Sequence, residues 1–556
     1  MRRGCAIGTP SVSKDRPQAR IEIQTAELIL VLLAVSAAMG ALAYRLAIPH
    51  PVLLVLGGAV LPFIPHVPRL TLDPEAIFIL FVPPLLYRTA ATTSLRDFRA
   101  SLRPIAFLSI VMVLATMCAV AAVAQKLIPG FSWAAAFALG AIVAPPDAVA
   151  ALAVTRRLRV PRSIVTVLNG EALVNDAASL VAYRMAIAAA LTGAFSLRQA
   201  AVQFVVAGLG GVLLGLAVGK IVVAIRRRLG DMPTIDSTVS LLTPFAAYIP
   251  AEQLGWSGVL AVVAVGFYVG KWRPSSTSFA TRLQGDAMWD TIVFLLEALV
   301  FIVVGLELPY VLQALQGRPI GVVLGYALAV TGAVIGVRLI LVFPRAWLAA
   351  AFDRLCGDSR ARWSWRHTLL VGWSGMRGGD SLVLALALPL TLQDGAPFPG
   401  RDLIVFLSCS VIVGTLLVQG LSFRFVAGKL RLQDDGSAER EERAARTRMA
   451  QAALSELDKH AESEHFSAGE RSQLAEAYAR RARAHTGGSD ALSIVRYSEV
   501  RLAMIEAERR TLLGMRDDGE IGDDVMRRVM RELDFETSLV DRLRMAGAAT
   551  EAPTAA

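Results

Sequence analysis

Apolar runs follow one another from about residue 26 to residue 427, each closed by a short polar or basic segment. A helix needs about 20 residues to cross ~30 Å of hydrocarbon. Thirteen runs meet or approach that length: 26–46, 49–66, 75–93, 103–126, 132–155, 162–191, 199–225, 237–253, 255–270, 286–310, 319–349, 366–390 and 402–427. The pattern predicts an all-α polytopic membrane protein with 13 transmembrane helices. Runs 237–253 and 255–270 read as two helices, with a break around Pro250–Gly255. Fused, they would form a helix ~51 Å long at about 1.5 Å per residue, too long for one crossing without extreme tilt.

Beyond residue 428 the pattern changes. Leu502, Ile505, Leu512 and Leu513 recur among Arg and Glu, and Val525, Val529 and Leu533 mark a second segment. Gly487-Gly488-Ser489 and Gly519 supply breaks. Charge runs of this kind are solvated helix faces. The chain therefore divides into an N-terminal extension over 1–25, read as disordered, a membrane domain over 26–428, and a helical cytoplasmic C-terminal domain over 429–556.

Composition agrees: 55% of residues are hydrophobic and 18% charged, against roughly 25% charged in soluble proteins. A soluble enzyme is excluded. The net charge of +10 resolves into +14 for 1–428 and −4 for the tail. The basic residues sit between apolar runs rather than in one patch, which argues against nucleic acid. Taking alternate connections, one set holds 21 Lys and Arg and the other 5. Basic residues collect in the cytoplasm, so the first set and the tail are inside and the N-terminus outside. Arg2, Arg3, Lys14, Arg16 and Arg20 run against that bias. Either the later loops outvote them or translation starts near Ile21. The four cysteines have no metal or disulfide spacing, no cofactor motif is present, and no Ser–His or metal-ligand set in the spans suggests a hydrolase.

Charged groups inside spans are expensive and mark function by default. The central ones are Asp147, Glu171, Asp176, Glu297, Arg338, Arg377 and Asp380, with Arg184 further along the sixth span. Asp147 follows Pro145-Pro146, which should break the fifth span and leave a half-helix end for the carboxylate. Arg377 lies among Gly372, Gly375, Gly378 and Gly379, which should unwind the twelfth. Interrupted hydrophobic segments in matching positions of two halves point to a transporter binding site. Spans five and twelve run in opposite directions, as inverted repeats of spans 1–6 and 8–13 require. In the sixth span Glu171 and Asn175 share a helix face, with Asp176 about 140° from Glu171. Asn175-Asp176 is either an interhelical hydrogen-bond pair or a hard-oxygen site where a proton and a cation compete.

Several motifs occur in order: Phe81-Val82-Pro83-Pro84-Leu85-Leu86-Tyr87, Pro146-Asp147, Gly170-Glu171-Ala172-Leu173-Val174-Asn175-Asp176, Glu297 with Gly305-Leu306-Glu307-Leu308-Pro309, Arg338, and Met376-Arg377-Gly378. Together they resemble the bacterial monovalent cation/proton antiporter family related to sodium/proton exchangers, over about 26–427. The resemblance implies that Asp176 binds the cation and the proton, with Asn175, Glu171 and Asp147 around it. Asp176, Asp147 and Glu171 would be the cation's carboxylates. Arg377 would neutralise half-helix carboxyl ends, and Glu297 and Arg338 would be structural charges. Two hydroxyls of the family pattern are absent, at Pro146 and Ala172, although the Pro146 carbonyl is available. Asp380 is an added carboxylate that would pair with Arg377 or act on neighbouring titrations.

The resemblance further implies electroneutral exchange of Na⁺, with K⁺ or Li⁺ as alternatives, for H⁺ across the bacterial plasma membrane. It implies a homodimer in which spans 4–6 and 11–13 move against a dimerisation domain. Two other classes would use the same spans. An ion channel has no use for a proton-exchanging carboxylate between broken helices. A membrane-anchored ion sensor with the tail as output predicts a tail partner and no transport.

Overall fold

The computed structural model describes residues 16–46, 50–63, 74–147, 162–192, 197–230, 232–314, 319–355, 364–392, 396–430, 437–461, 469, 472–473, 475–476, 491–518 and 523–551. These are almost entirely helical. In chain order the helices are α1 (Arg16–Leu46), α2 (His50–Val60), α3 (Pro74–Thr92), α4 (Leu95–Ala100), α5 (Leu102–Leu127), α6 (Trp133–Val143), α7 (Arg162–Thr192), α8 (Leu197–Leu229) and α9 (Pro233–Gln253). They continue with α10 (Gly258–Ser276), α11 (Phe279–Ala314), α12 (Ile320–Leu355), α13 (Trp365–Trp373), α14 (Gly379–Leu386), α15 (Arg401–Leu430), α16 (Ser437–Ala461), α17 (Ala491–Asp517) and α18 (Asp523–Glu551). Five-residue π-turns interrupt α5 at Phe107–Val111 and α15 at Leu416–Gly420.

Among the described residues, six helical stretches are long and apolar enough to cross a membrane: Leu102–Leu127, Ile164–Leu191, Val202–Leu229, Ala280–Pro309, Ile320–Pro344 and Arg401–Leu430. In the α15 stretch 72% of the apolar window is buried by protein, against 22% in α12. The first is therefore a central helix, and the second leaves most of its apolar surface to lipid.

One boundary differs from that read in the sequence. Residues 16–25 belong to α1 rather than to a disordered extension. Pro17 sits in the first turn, where a missing N–H costs nothing, and no breaker follows. α9 ends at Gln253 and α10 starts at Gly258, so the chain breaks where the runs 237–253 and 255–270 meet. Pro244 and Pro250 are both inside α9, and the chain turns at Gly255, whose φ is +70°. The Ser257 side chain then caps α10 by accepting from Leu260 N–H at 3.3 Å. The far part of the fifth apolar run, 148–155, lies outside the described residues.

Helices pack closely where small residues meet. A Cβ at Gly58 would stand 2.2 Å from Ile302 O, and one at Gly305 would stand 2.0 Å from Val55 O. α2 and α11 thus touch backbone to backbone, the packing mode that lipid surroundings favour.

The chain divides into two compact units, Met1–Gln433 and Asp434–Ala556. In the second, α17 and α18 pack through Ile505, Leu512, Leu533 and Val540, with Leu502 and Val529 at the edge. Arg501–Glu536 at 2.5 Å and Arg509–Asp534 at 2.6 Å cross between them. Leu513 faces outward instead.

Candidate functional site

Two helices stop short within apolar sequence. α6 ends at Val143, because Pro145 and Pro146 lack the N–H groups that would continue it and their rings crowd the preceding turn. α13 ends at Trp373 and α14 starts at Gly379, which leaves Ser374–Gly378 in neither. Buried main-chain groups without a helical partner must find one elsewhere. Here the breaks serve each other: Asp147 N–H donates to Met376 O at 2.8 Å. Glycine permits the approach. A Cβ at Gly378 would lie 1.5 Å from Asp147 Oδ2, and one at Gly375 would lie 2.2 Å from Arg338 Cδ.

α7 passes this junction unbroken. Asn175 Nδ2 donates to Pro146 O at 3.1 Å, and Ser179 Oγ donates to Ala141 O at 2.9 Å. Asn175 is fully buried, and its Oδ1 has no hydrogen-bond partner among the described residues. Asp176 follows, within the electrostatic reach of Asp380 and Asp147. The carboxylates of α7, the α6 break and the start of α14 therefore share one neighbourhood. Asp380 lies in the first turn of α14, where a negative group suits the positive end of the helix. It also feels Glu297.

Glu171 goes elsewhere. Its Oε1 and Oε2 accept from Arg338 Nη1 at 2.5 Å and Nη2 at 2.9 Å. Both side chains are 1% exposed. Arg338 also donates to Val371 O, from Nε at 3.3 Å and Nη2 at 3.1 Å. The pair ties α7 to α12 and to the last turn of α13. Both Glu171 oxygens are engaged, so the expected trio of Asp176, Asp147 and Glu171 is not assembled as a cation cage. Among the described residues, no three His, Cys, Asp or Glu side chains form a metal-holding group. The physical reason is desolvation: a buried guanidinium and carboxylate are each far costlier alone than together.

The remaining expected charges separate. Glu297 Oε2 is 3.6 Å from His50 Nε2, across α11 and α2. Arg377 is buried and gives its backbone N–H to Thr415 Oγ1 of α15 at 3.0 Å. Its Nε and Nη1 have no partner among the described residues, so those atoms do not cap helix-end carbonyls there. Arg184 is half-exposed and pairs with Glu252 at 2.5 Å. Thr415, His50 and Ser109, whose Oγ donates to Glu171 O at 3.1 Å, were not singled out from the sequence. A lone hydroxyl or imidazole in an apolar run is the available signal, and it does not say which distant group it serves.

Residues 30–429 match the family described as sodium/hydrogen exchanger, transmembrane. The chain belongs to that family. An uncharacterized Na⁺/H⁺ exchanger of Mycobacterium tuberculosis is 36% identical over 525 residues, covering 92% of this chain and 95% of that protein. A sodium, potassium, lithium and rubidium/H⁺ antiporter of Bacillus subtilis is 37% identical over 383 residues, 67% of this chain and 56% of that one. In fold, the chain is similar to the sodium proton antiporter MjNhaP1 of Methanocaldococcus jannaschii, with a TM-score of 0.57 at 19% identity. That likeness covers 74% of this chain and 99% of MjNhaP1. As a sodium/hydrogen exchanger it is a multi-pass membrane protein and a monovalent cation/proton antiporter, not an enzyme. The half-buried carboxylates Asp147, Asp176 and Asp380 thus lie where two interrupted helices meet a continuous one.

Proposed function

We propose that this exchanger moves one monovalent cation, Na⁺ first with K⁺ or Li⁺ as alternatives, against one proton, and that both compete for Asp176. The observation that carries the reading is the junction itself. The Asp147–Met376 main-chain bond and the Asn175–Pro146 bond hold the Asp176 turn of α7 against both breaks. Asn175 Oδ1, buried and unpartnered among the described residues, is the natural second oxygen for a cation at Asp176. Pro146 O accepts one hydrogen bond and keeps another lone pair, and Asp147 stands beside Gly378.

Chemically, a bare carboxylate in a buried site is costly, whereas its protonated or cation-bound form is neutral. The site crosses in either neutral form and not empty, which makes exchange obligatory. Differential occupancy of the two facing states drives net movement. Glu171 and Arg338 cancel within the moving part and hold α7 against α12 and α13. Thirteen spans with both breaks at the crossing, an inward tail, a plasma-membrane location and a homodimer whose spans 4–6 and 11–13 move against the remainder complete the proposal.

The test is proton-flux recording in everted vesicles on adding Na⁺, Li⁺ or K⁺. Wild type dissipates the proton gradient with one or more of these ions, and Asp176→Asn does not while reaching the membrane in equal amount. Near-normal exchange by Asp176→Asn would sink the assignment.

A further inference from the structure

The C-terminal end of α15 carries a feature that ion exchange does not use. Val418, Leu421 and Phe425 are all exposed, Phe425 to 70%, and their spacing of three and four residues makes one continuous apolar stripe. The stripe ends in a groove of about 500 Å³ lined by Leu421, Arg424, Phe425, Gly428 and Lys429. Arg424 and Lys429 are its two cations, with the Lys429 ammonium 5.8 Å from the Phe425 ring centroid. Gly428 leaves the gap between them open: a Cβ there would meet nothing within 4 Å. The apolar stretch of α15 closes at Leu430, so the groove lies where a spanning helix leaves the hydrocarbon.

The geometry points to a binding seat for one anionic phospholipid, its phosphate between Arg424 and Lys429 and an acyl chain along Phe425, Leu421 and Val418. Two cations flanking an open glycine suit a phosphate. An apolar stripe running from that point toward the membrane interior suits a chain, which a free anion does not need. Charge adds to the preference, since basic groups at a membrane surface attract anionic lipid. The seat is also wired to the junction. Ser422, next to Leu421, accepts from Trp373 Nε1 at 3.0 Å, and Thr415 on the same helix accepts from Arg377 N–H. A lipid that fixes this end of α15 therefore steadies the last turn of α13, independently of which ion is carried.

The full-length protein in neutral detergent is melted with added phosphatidylglycerol, phosphatidylcholine or inorganic phosphate, and bound lipid is counted by native mass spectrometry. Phosphatidylglycerol is expected to raise the melting temperature and phosphatidylcholine and inorganic phosphate to leave it unchanged. Arg424→Gln/Lys429→Gln should lose half or more of that rise and one bound lipid, and Phe425→Ser should weaken both. Arg227→Gln/Lys271→Gln, which strips the cations from around Trp272, should keep the rise. An undiminished rise in the Arg424/Lys429 variant overturns the proposal. Equal loss in the Arg227/Lys271 variant also overturns it, as diffuse attraction, and a rise with inorganic phosphate alone replaces the lipid by a free anion.

Discussion

Removing Glu171 and Arg338 separately and then together separates two roles for Glu171. The pair is buried to 1% exposure on both sides and bonded twice, with Arg338 anchored further on Val371 O. Deleting one member of such a pair costs about 3–5 kcal/mol, because an uncompensated charge stays behind. The two singles differ. After Arg338→Met, the stranded Glu171 carboxylate can take up a proton and shed its charge. After Glu171→Leu, the stranded guanidinium cannot lose its charge, and it keeps only the Val371 carbonyl. Glu171→Leu is therefore the more damaging single. The double variant has no buried charge left and should recover most of the loss, leaving a residual of about 1–2 kcal/mol from imperfect packing. The assay is thermal unfolding of the purified protein at one scan rate, with the apparent cation KM measured in proteoliposomes on the same three variants. A melting point in the double variant below that of Glu171→Leu would refute the pairing argument. So would a KM raised more than about tenfold in a well-folded double variant, which corresponds to a lost cation ligand of about 1.4 kcal/mol.

Two further outcomes follow from the same geometry. If one proton and one cation compete for Asp176, then below the titration range of the free site the apparent KM for Na⁺ rises about tenfold for each unit fall in pH. A measured slope of zero removes the competition, and a slope of two adds a second titrating group, for which Asp380 and Asp147 are the candidates. Gly378→Ala places a methyl where Asp147 Oδ2 now lies, 1.5 Å from the new Cβ. Asp147 must move, so exchange should fall sharply while membrane insertion, read by expression and melting point, holds. Unchanged exchange would show that the Asp147 position is immaterial.

The apolar runs were legible because lipid demands about 20 consecutive apolar residues per crossing, a local requirement. The break after Val143 was legible for the same reason, since Pro145 and Pro146 act on their own neighbourhood. The break between α9 and α10 was legible too: α9 runs through Pro250 to Gln253, and the chain turns at Gly255, where φ is positive. Types and spacing leave Asn175-Asp176 as either an interhelical hydrogen-bond pair or a hard-oxygen site, and it is the family resemblance that favours the second. The partner of Glu171 was not legible, because Arg338 is 167 positions away and the choice between it and a cation is made by helix packing. His50 beside Glu297 and Thr415 beneath Arg377 are of the same kind. Each is an ordinary residue until the fold brings its counterpart.

The bond from Asp147 N–H to Met376 O runs from main chain to main chain. No side-chain replacement at either residue removes either of its atoms, short of proline at 147. The bond itself is thus insulated from side-chain replacement at Asp147 and Met376, though not from a Cβ at Gly378, while the oxygens around it, at Asn175, Asp176, Asp147 and Asp380, are open to substitution. If the ion is held at those oxygens, as proposed, selection can retune which ion is carried by single substitutions that leave the main-chain bond in place. A protein so constructed can change its cargo without first relearning how to fold.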